Sequence, residues 1–239
     1  MFDRNRFKAV LWDLDDTLYS RAEGAKRMFP ELFRKHLYPG RRDAFIEEAL
    51  CCMLSYCPRG SVVHPDAFAA LEKQYPFDIP FCHEAFLRDY YADFRKFITP
   101  NPEAVAVLKK LRETGIKTGL VTNITPELLE SQKKKVAALG IAELFDVIIY
   151  SAELGIHKPD PRIFHHAAQC LGAEPGKCLF VGDDPRSDIA GARGVGMEAV
   201  WLDNRPVYDG SFADDPRVYR VHSVLDYFSE CRKTRQPSK

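Results

Sequence analysis

Carboxylates crowd the stretch Asp13-Leu14-Asp15-Asp16-Thr17-Leu18, and the apolar run Ala9–Trp12 leads straight into it. The run reads as a buried strand, with the acidic cluster where that strand leaves its sheet. Carboxylates this close repel one another unless a cation or a proton intervenes. The stretch therefore asks for a metal, for a phosphate-like ligand with its metal, or for protonation. Three further strand ends carry polar groups that a fold alone does not demand. Thr122-Asn123 follows Gly119-Leu120-Val121. Ser151 and then Lys158, in Gly155-Ile156-His157-Lys158-Pro159-Asp160-Pro161, follow Val147–Tyr150. Gly182-Asp183-Asp184-Pro185-Arg186-Ser187-Asp188 follows Cys178-Leu179-Phe180-Val181. Each has a plain structural explanation: turn residues, a solvated lysine, or Asp184 as a helix cap before Pro185. Their joint placement at one edge of a parallel sheet, where such sheets bind ligands, is what points to chemistry.

The chemistry that suits this set is phosphoryl transfer. Mg²⁺ prefers oxygen ligands and takes few protein carboxylates, keeping water and phosphate for the rest. Asp13 and Asp183, on different strand ends, can supply one oxygen each. Such a metal offsets the repulsion between an anionic nucleophile and an anionic phosphoester, and Lys158 adds a second positive charge. Thr122 and nearby backbone N–H groups can hold phosphoryl oxygens. Asp13 can attack phosphorus to give an aspartyl-phosphate. Asp15 can protonate the leaving alcohol and then activate water.

These side chains need strands to position them, and the rest of the chain supplies the pattern. Beyond residue 99, segments alternate between helix and strand. Asn101-Pro102 opens a helix that Gly115 closes, and a strand follows over 117–122. Thr125-Pro126 opens the next helix, ended by Gly140, before the strand at 147–150. Asp160-Pro161 starts a helix stopped by Gly172, strand 178–181 follows, and residues 199–202 form the last strand. This alternation predicts an α/β fold: a parallel sheet with helices on both faces, which the first strand joins. Residues 18–98 read differently, as four aromatic-rich amphipathic helices packed into a bundle. Pro30 should kink or split the first of them, Asp43 should cap the second, and Leu87, Tyr90, Tyr91, Phe94 and Ile98 form the clearest stripe. Turn chemistry at Pro39-Gly40, Pro58-Arg59-Gly60 and Pro76-Phe77-Asp78-Ile79-Pro80 separates them. The expected organisation is a catalytic core of residues 1–17 and 99–239, with a helical cap domain of residues 18–98 inserted after the acidic loop.

Composition narrows the partners. The 34 Lys and Arg balance 34 Asp and Glu over 239 residues, so no global field points to nucleic acid or an anionic membrane. The basic run Arg232-Lys233-Thr234-Arg235 reads as a solvated terminus. No run approaches the apolar length of a membrane span, and the first residues lack the order of a signal peptide. The seven cysteines include no Cys-x-x-Cys and no zinc spacing, and unpaired thiols suit a reducing cytoplasm. Gly172-Ala173-Glu174-Pro175-Gly176-Lys177 only superficially suggests a phosphate loop. It lacks the Ser or Thr, and it precedes a strand instead of following one.

Asp13-Leu14-Asp15-Asp16-Thr17-Leu18, Thr122-Asn123, Lys158-Pro159-Asp160 and Gly182-Asp183-Asp184-Pro185-Arg186-Ser187-Asp188 resemble the four motifs of the haloacid dehalogenase superfamily. The match spans nearly all of the α/β part. The resemblance implies a Rossmann-like core with a helical cap between the first and second motifs, and dependence on Mg²⁺. It implies Asp13 as nucleophile and Asp15 as general acid/base, the latter also binding the metal through its backbone carbonyl. Thr122, with Asn123, would bind the substrate phosphate. Lys158 would steady nucleophile and phosphate, and Asp183 would complete the metal ligands. Asp188, Asp184 and Thr17 would stand behind them. Tyr19, Arg21 and Glu23, directly after the first motif, are candidates for cap specificity. The expected activity is hydrolysis of a small-metabolite phosphomonoester in the cytoplasm, with the cap closing over the site. The alternatives are a phosphomutase, a dehalogenase-type hydrolase or a non-catalytic phospholigand-binding protein. Asp15 argues against dehalogenation, because a leaving halide needs no proton.

Overall fold

In the computed structural model, residues 2–57, 65–203 and 212–228 are described. The turn at Pro58-Arg59-Gly60 and the basic run Arg232–Arg235 lie outside them. The chain divides into two compact units: residues 1–19, 100–132 and 140–239, and residues 20–99 with 133–139.

The first unit is built on a parallel sheet that has six strands among the described residues. They are β1 (Ala9–Trp12), β2 (Lys117–Thr122), β3 (Val147–Tyr150), β4 (Cys178–Gly182), β5 (Glu198–Leu202) and β6 (Val218–Val221). Their order is β3-β2-β1-β4-β5-β6, so β1 is central, paired with β2 on one side and β4 on the other. Register aligns the strand ends: Trp12 stands opposite Leu120 and Val181, and Thr122 opposite Tyr150. Strands β1, β4 and β5 are buried along their whole length, as continuous apolar runs covered on both faces must be. One face packs Leu11, Val121, Phe180 and Ala199 against Ile163, Phe164 and Ala167. On the other, Trp12 stacks on Phe228, with ring centroids 5.9 Å apart.

The connecting helices are α5 (Pro102–Glu113), α6 (Leu129–Ala138), the short α7 (Ser151–Leu154), α8 (Pro161–Cys170), α9 (Ala190–Gly194) and α10 (Val224–Phe228). Asn101 caps α5, its side-chain oxygen accepting from the backbone N–H of Glu103 at 3.0 Å, and Asp160 does the same for α8 with Arg162 at 2.9 Å. Residues 199–202 are not the last strand. Strand β6 extends the sheet beyond β5, and its half-exposed side chains lack the buried run that marks the others.

The second unit contains α1 (Arg21–His36), α2 (Asp43–Tyr56), α3 (Pro65–Gln74) and α4 (His83–Asp93). Helix α1 runs unbroken through Pro30. An interior proline costs about 3 kcal/mol, whereas each large apolar side chain buried returns roughly 1.5–3 kcal/mol. Met28, Phe29, Leu32 and Phe33 are all buried on α1, so packing outweighs the lost hydrogen bond. Arg42, not Asp43, occupies the position before α2 and makes no side-chain cap; Asp43 instead pairs with Arg34. The aromatic stripe is centred on Phe86, Tyr90, Phe94 and Ile98, whereas Leu87 and Tyr91 are only partly buried. Among the described residues, no helix is long and apolar enough to cross a membrane.

Candidate active site

Strand β1 delivers Asp13 to the sheet edge. Its backbone N–H extends the ladder, donating to the carbonyl of Val181 at 2.9 Å, and its side chain is buried. The chain then turns sharply. Leu18 N–H returns to the carbonyl of Leu14 at 2.9 Å, and Asp16 sits in the left-handed region at φ 60°. Aspartate tolerates that conformation better than most side chains, so Asp16 serves the turn. The reversal brings Tyr19 back beside Asp15, with which it forms an isolated bridge, and the Tyr19 hydroxyl donates to Asp15 Oδ1.

Lys158 reaches the same place from the loop after β3. Its Nζ lies 2.5 Å from Asp13 Oδ1 and 2.8 Å from Asp188 Oδ1, and 5.4 Å from the centroid of the Phe180 ring beneath it. Asn123 fixes that loop with both ends of its amide. The Lys158 backbone N–H donates to Asn123 Oδ1 at 2.8 Å, and Asn123 Nδ2 donates to the Lys158 carbonyl at 2.9 Å. Buried Ser151 ties the neighbouring backbone together. Its Oγ accepts from Ile124 N–H, donates to the Ile124 carbonyl and lies 2.8 Å from His157 Nδ1.

Strand β4 contributes the third wall. Asp183 and Asp188 are 4% and 1% exposed, so both carboxylates are withdrawn from bulk water. Only glycine fits at 182, because a Cβ there would lie 2.4 Å from Asp188 Oδ2. Asp184 caps the turn that follows, accepting from Arg186 N–H at 2.8 Å and Ser187 N–H at 3.3 Å, while its own N–H donates to Asp188 Oδ2 at 3.1 Å. Trp201, on β5, donates from Nε1 to the Asp183 carbonyl at 3.1 Å.

Carboxylate oxygens of Asp13, Asp183 and Asp188 all lie within 4.8 Å of one another. Burial pushes the Asp13 carboxyl well above the ordinary range; Lys158 opposes this, while Asp188, Asp183 and Asp15 add to it. Burial alone would lower the Lys158 ammonium, but two carboxylates in direct contact outweigh it, and the lysine is held above its usual range as a cation. One lysine faces more negative charge than it can neutralise, and a buried, all-oxygen acidic cluster of this kind is compatible with a metal ion.

Thr122, at the end of β2, is fully buried, and its Oγ1 accepts from Gln132 Nε2 at 2.8 Å. Thr17 is also buried, and its hydroxyl has no hydrogen-bond partner among the described residues. Thus Asp13, Asp15, Thr122, Asn123, Lys158, Asp183, Asp184 and Asp188 converge at one edge of the sheet. Tyr19 belongs to the first unit and touches Asp15. Arg21 and Glu23 lie in the second unit on α1, where Glu23 is exposed and pairs with Lys26 at 2.6 Å. Sequence reasoning missed Trp201, Phe180 and Gln132. For Gln132 a signal existed: it takes the inward position of a helical stripe with Val136 and Leu139, where a polar side chain is out of place unless it has a partner.

Residues 7–196 match the haloacid dehalogenase-like hydrolases. The chain belongs to that family. It is 33% identical over 235 residues to the glyceraldehyde 3-phosphate phosphatase of Methanopyrus kandleri, covering 95% of this chain and 99% of the relative. It is 31% identical over 247 residues to the phosphoserine phosphatase of Thermus thermophilus, covering 91% and 98%. Among solved structures, a HAD phosphatase from Thermococcus onnurineus shares 28% identity at a TM-score of 0.56, covering 93% of this chain and 97% of that one. A HAD family hydrolase from Deinococcus radiodurans shares the fold at a TM-score of 0.61 and 22% identity, covering 91% and 92%. With these relatives, the chain is a hydrolase of the phosphatase type.

Proposed function

We propose that this protein is a Mg²⁺-dependent phosphatase acting on a small phosphorylated metabolite through an aspartyl-phosphate on Asp13. The observation that carries the reading is the buried Lys158 ammonium between Asp13 and Asp188, with Asp183 beside them. The donor set fits a hard divalent cation, because it is all oxygen and more acidic than Lys158 can balance. Asp13, Asp183 and the Asp15 backbone carbonyl would hold it. Asp188 already has both oxygens engaged, by Lys158 and by the Asp184 N–H. When bound, Mg²⁺ would supply positive charge that offsets repulsion between carboxylate and phosphoester.

The chain's own residues would then act as follows. Thr122 donates its hydroxyl hydrogen to a phosphoryl oxygen, and Lys158 balances charge on the phosphoryl group and on Asp13. A carboxylate oxygen of Asp13 bonds to phosphorus as the bond to the alcohol oxygen breaks, and Asp15 gives that oxygen a proton. Water next attacks the phosphorus. Asp15 takes its proton, phosphate leaves and Asp13 is restored. Asn123 holds the Lys158 loop in place.

A three-carbon phosphoester is the substrate class that the named activities of the 33% and 31% identical relatives support. A cytoplasmic location is supported by six free thiols among the described residues. The test is phosphate release from a panel including glyceraldehyde 3-phosphate and phosphoserine, with Mg²⁺ and with chelator. Activity should need Mg²⁺ and should disappear in Asp13→Asn and Asp15→Asn. Full activity in Asp13→Asn would remove the nucleophile from this scheme.

A further inference from the structure

Asp15 is held from both sides by residues outside the four motifs. Tyr19 Oη donates to Oδ1, and Gln132 Nε2 donates to Oδ2 at 3.0 Å. Both holding side chains are 2% exposed, whereas Asp15 itself is partly exposed. The same Gln132 nitrogen also donates to Thr122 Oγ1 at 2.8 Å. A primary amide nitrogen carries two hydrogens, and an ionised carboxylate can only accept. The two contacts therefore spend both hydrogens, and they fix which end of the amide faces the site. The Thr122 hydroxyl, having accepted from Gln132, keeps its own hydrogen to donate elsewhere.

We infer that Gln132 and Tyr19 are positioning residues that lock the Asp15 carboxylate for proton exchange with the leaving oxygen, and that Gln132 also sets Thr122 as a donor toward the phosphoryl group. This rests on the phosphatase reading above. A carboxylate with both oxygens engaged cannot rotate freely about its Cβ–Cγ bond, so its orientation toward the leaving oxygen is held. Fixing a general acid in the reactive orientation raises the rate without adding a new contact to the substrate. A single amide bridging Asp15 and Thr122 also ties the proton donor to the phosphate-binding hydroxyl, so the two keep a constant spacing.

The test uses Gln132→Met, which keeps the shape but donates nothing, and Tyr19→Phe. Each is assayed on a simple alkyl phosphate and on p-nitrophenyl phosphate, with Mg²⁺. An alkoxide leaves only with a proton, whereas p-nitrophenolate leaves without one. Because kcat/KM reports steps up to departure of the leaving group, it isolates the acid role of Asp15. In both variants the alkyl ester should lose at least about tenfold more kcat/KM than the aryl ester, out of the ~10²–10⁴-fold that general acid catalysis contributes. Inhibition by inorganic phosphate should weaken in Gln132→Met and stay unchanged in Tyr19→Phe, because of the two it is Gln132 that bonds to Thr122. Equal losses on both esters, or no loss, would overturn the inference while leaving the phosphatase reading intact. A parent protein that cleaves neither ester would sink both. Should Gln132→Met fail to fold, the ester comparison in Tyr19→Phe decides.

Discussion

In the proposed scheme, chemistry and stability depend on the same atom of Lys158. Its ammonium touches two buried carboxylates, and Lys158→Met would leave both without that partner. Breaking a buried ion pair from one side costs on the order of 3–5 kcal/mol, and loss of a charge that faces the transferred group costs roughly 10²-fold or more in rate. Lys158→Met should therefore lower both the melting temperature and phosphate release; a variant that keeps the parent's activity would contradict the role given to this lysine. At this scale, the motif residues were legible because each follows an apolar run that ends at the same sheet edge. The partners of Gln132, Trp201 and Tyr19 were not. Which partner a side chain finds depends on folding: the stripe with Val136 and Leu139 marks Gln132 as inward, but its bonds to Asp15 and Thr122 exist only once the segments that carry them are in place.

Strands β2 and β3 are stapled at their starts by Asp146. Its Oδ2 accepts from Thr118 N–H at 2.8 Å, its Oδ1 pairs with Lys117 at 2.9 Å, and its own N–H donates to the Thr118 carbonyl at 2.8 Å. Burial works against the Asp146 carboxylate, but the bonds from Lys117 and Thr118 win and hold it below the usual range. A depressed folded-state value means stability that is present above the unfolded value and lost as pH falls through the folded one. Asp146→Asn should accordingly melt below the parent at pH 7, with the gap narrowing as the pH drops below about 4, the range in which a free aspartate titrates. A gap that is constant with pH would assign the loss to shape instead of charge. Element positions were readable where signals were strong: Asn101-Pro102 and Asp160-Pro161 start their helices, and buried apolar runs mark β1, β4 and β5. Strand β6 escaped because it is a half-exposed edge in which Tyr219 and Arg220 interrupt the apolar pattern. Helix α1 is not split by its proline, because tertiary burial, invisible locally, outweighs a local penalty.

Across the whole molecule, the cysteines should divide by burial. Among the described residues, Cys51, Cys82 and Cys170 are exposed, whereas Cys52, Cys57 and Cys178 are buried. Burial pushes the Cys178 thiol up to about 12, so almost none of it is thiolate at pH 8. Alkylation of the native protein at that pH, read by mass spectrometry, should mark the exposed three and spare Cys178 until denaturant is added. Early labelling of Cys178 would mean that β4 opens readily. The α/β character was legible throughout because strand and helix periods alternate cleanly after residue 99. The central place of β1 was not, since strand order depends on pairings between distant segments. One modest contact has a broad consequence. The Asn101 N–H donates to the Leu18 carbonyl at 2.7 Å, so the sheet-forming chain is pinched where residues 20–99 leave and rejoin it. Closing a loop costs free energy only as the logarithm of its length, about 0.6 kcal/mol for each doubling. A sheet pinched in this way is almost indifferent to what is spliced between Leu18 and Asn101. Changes in the length of that passage should therefore leave β1 folded beside its neighbours.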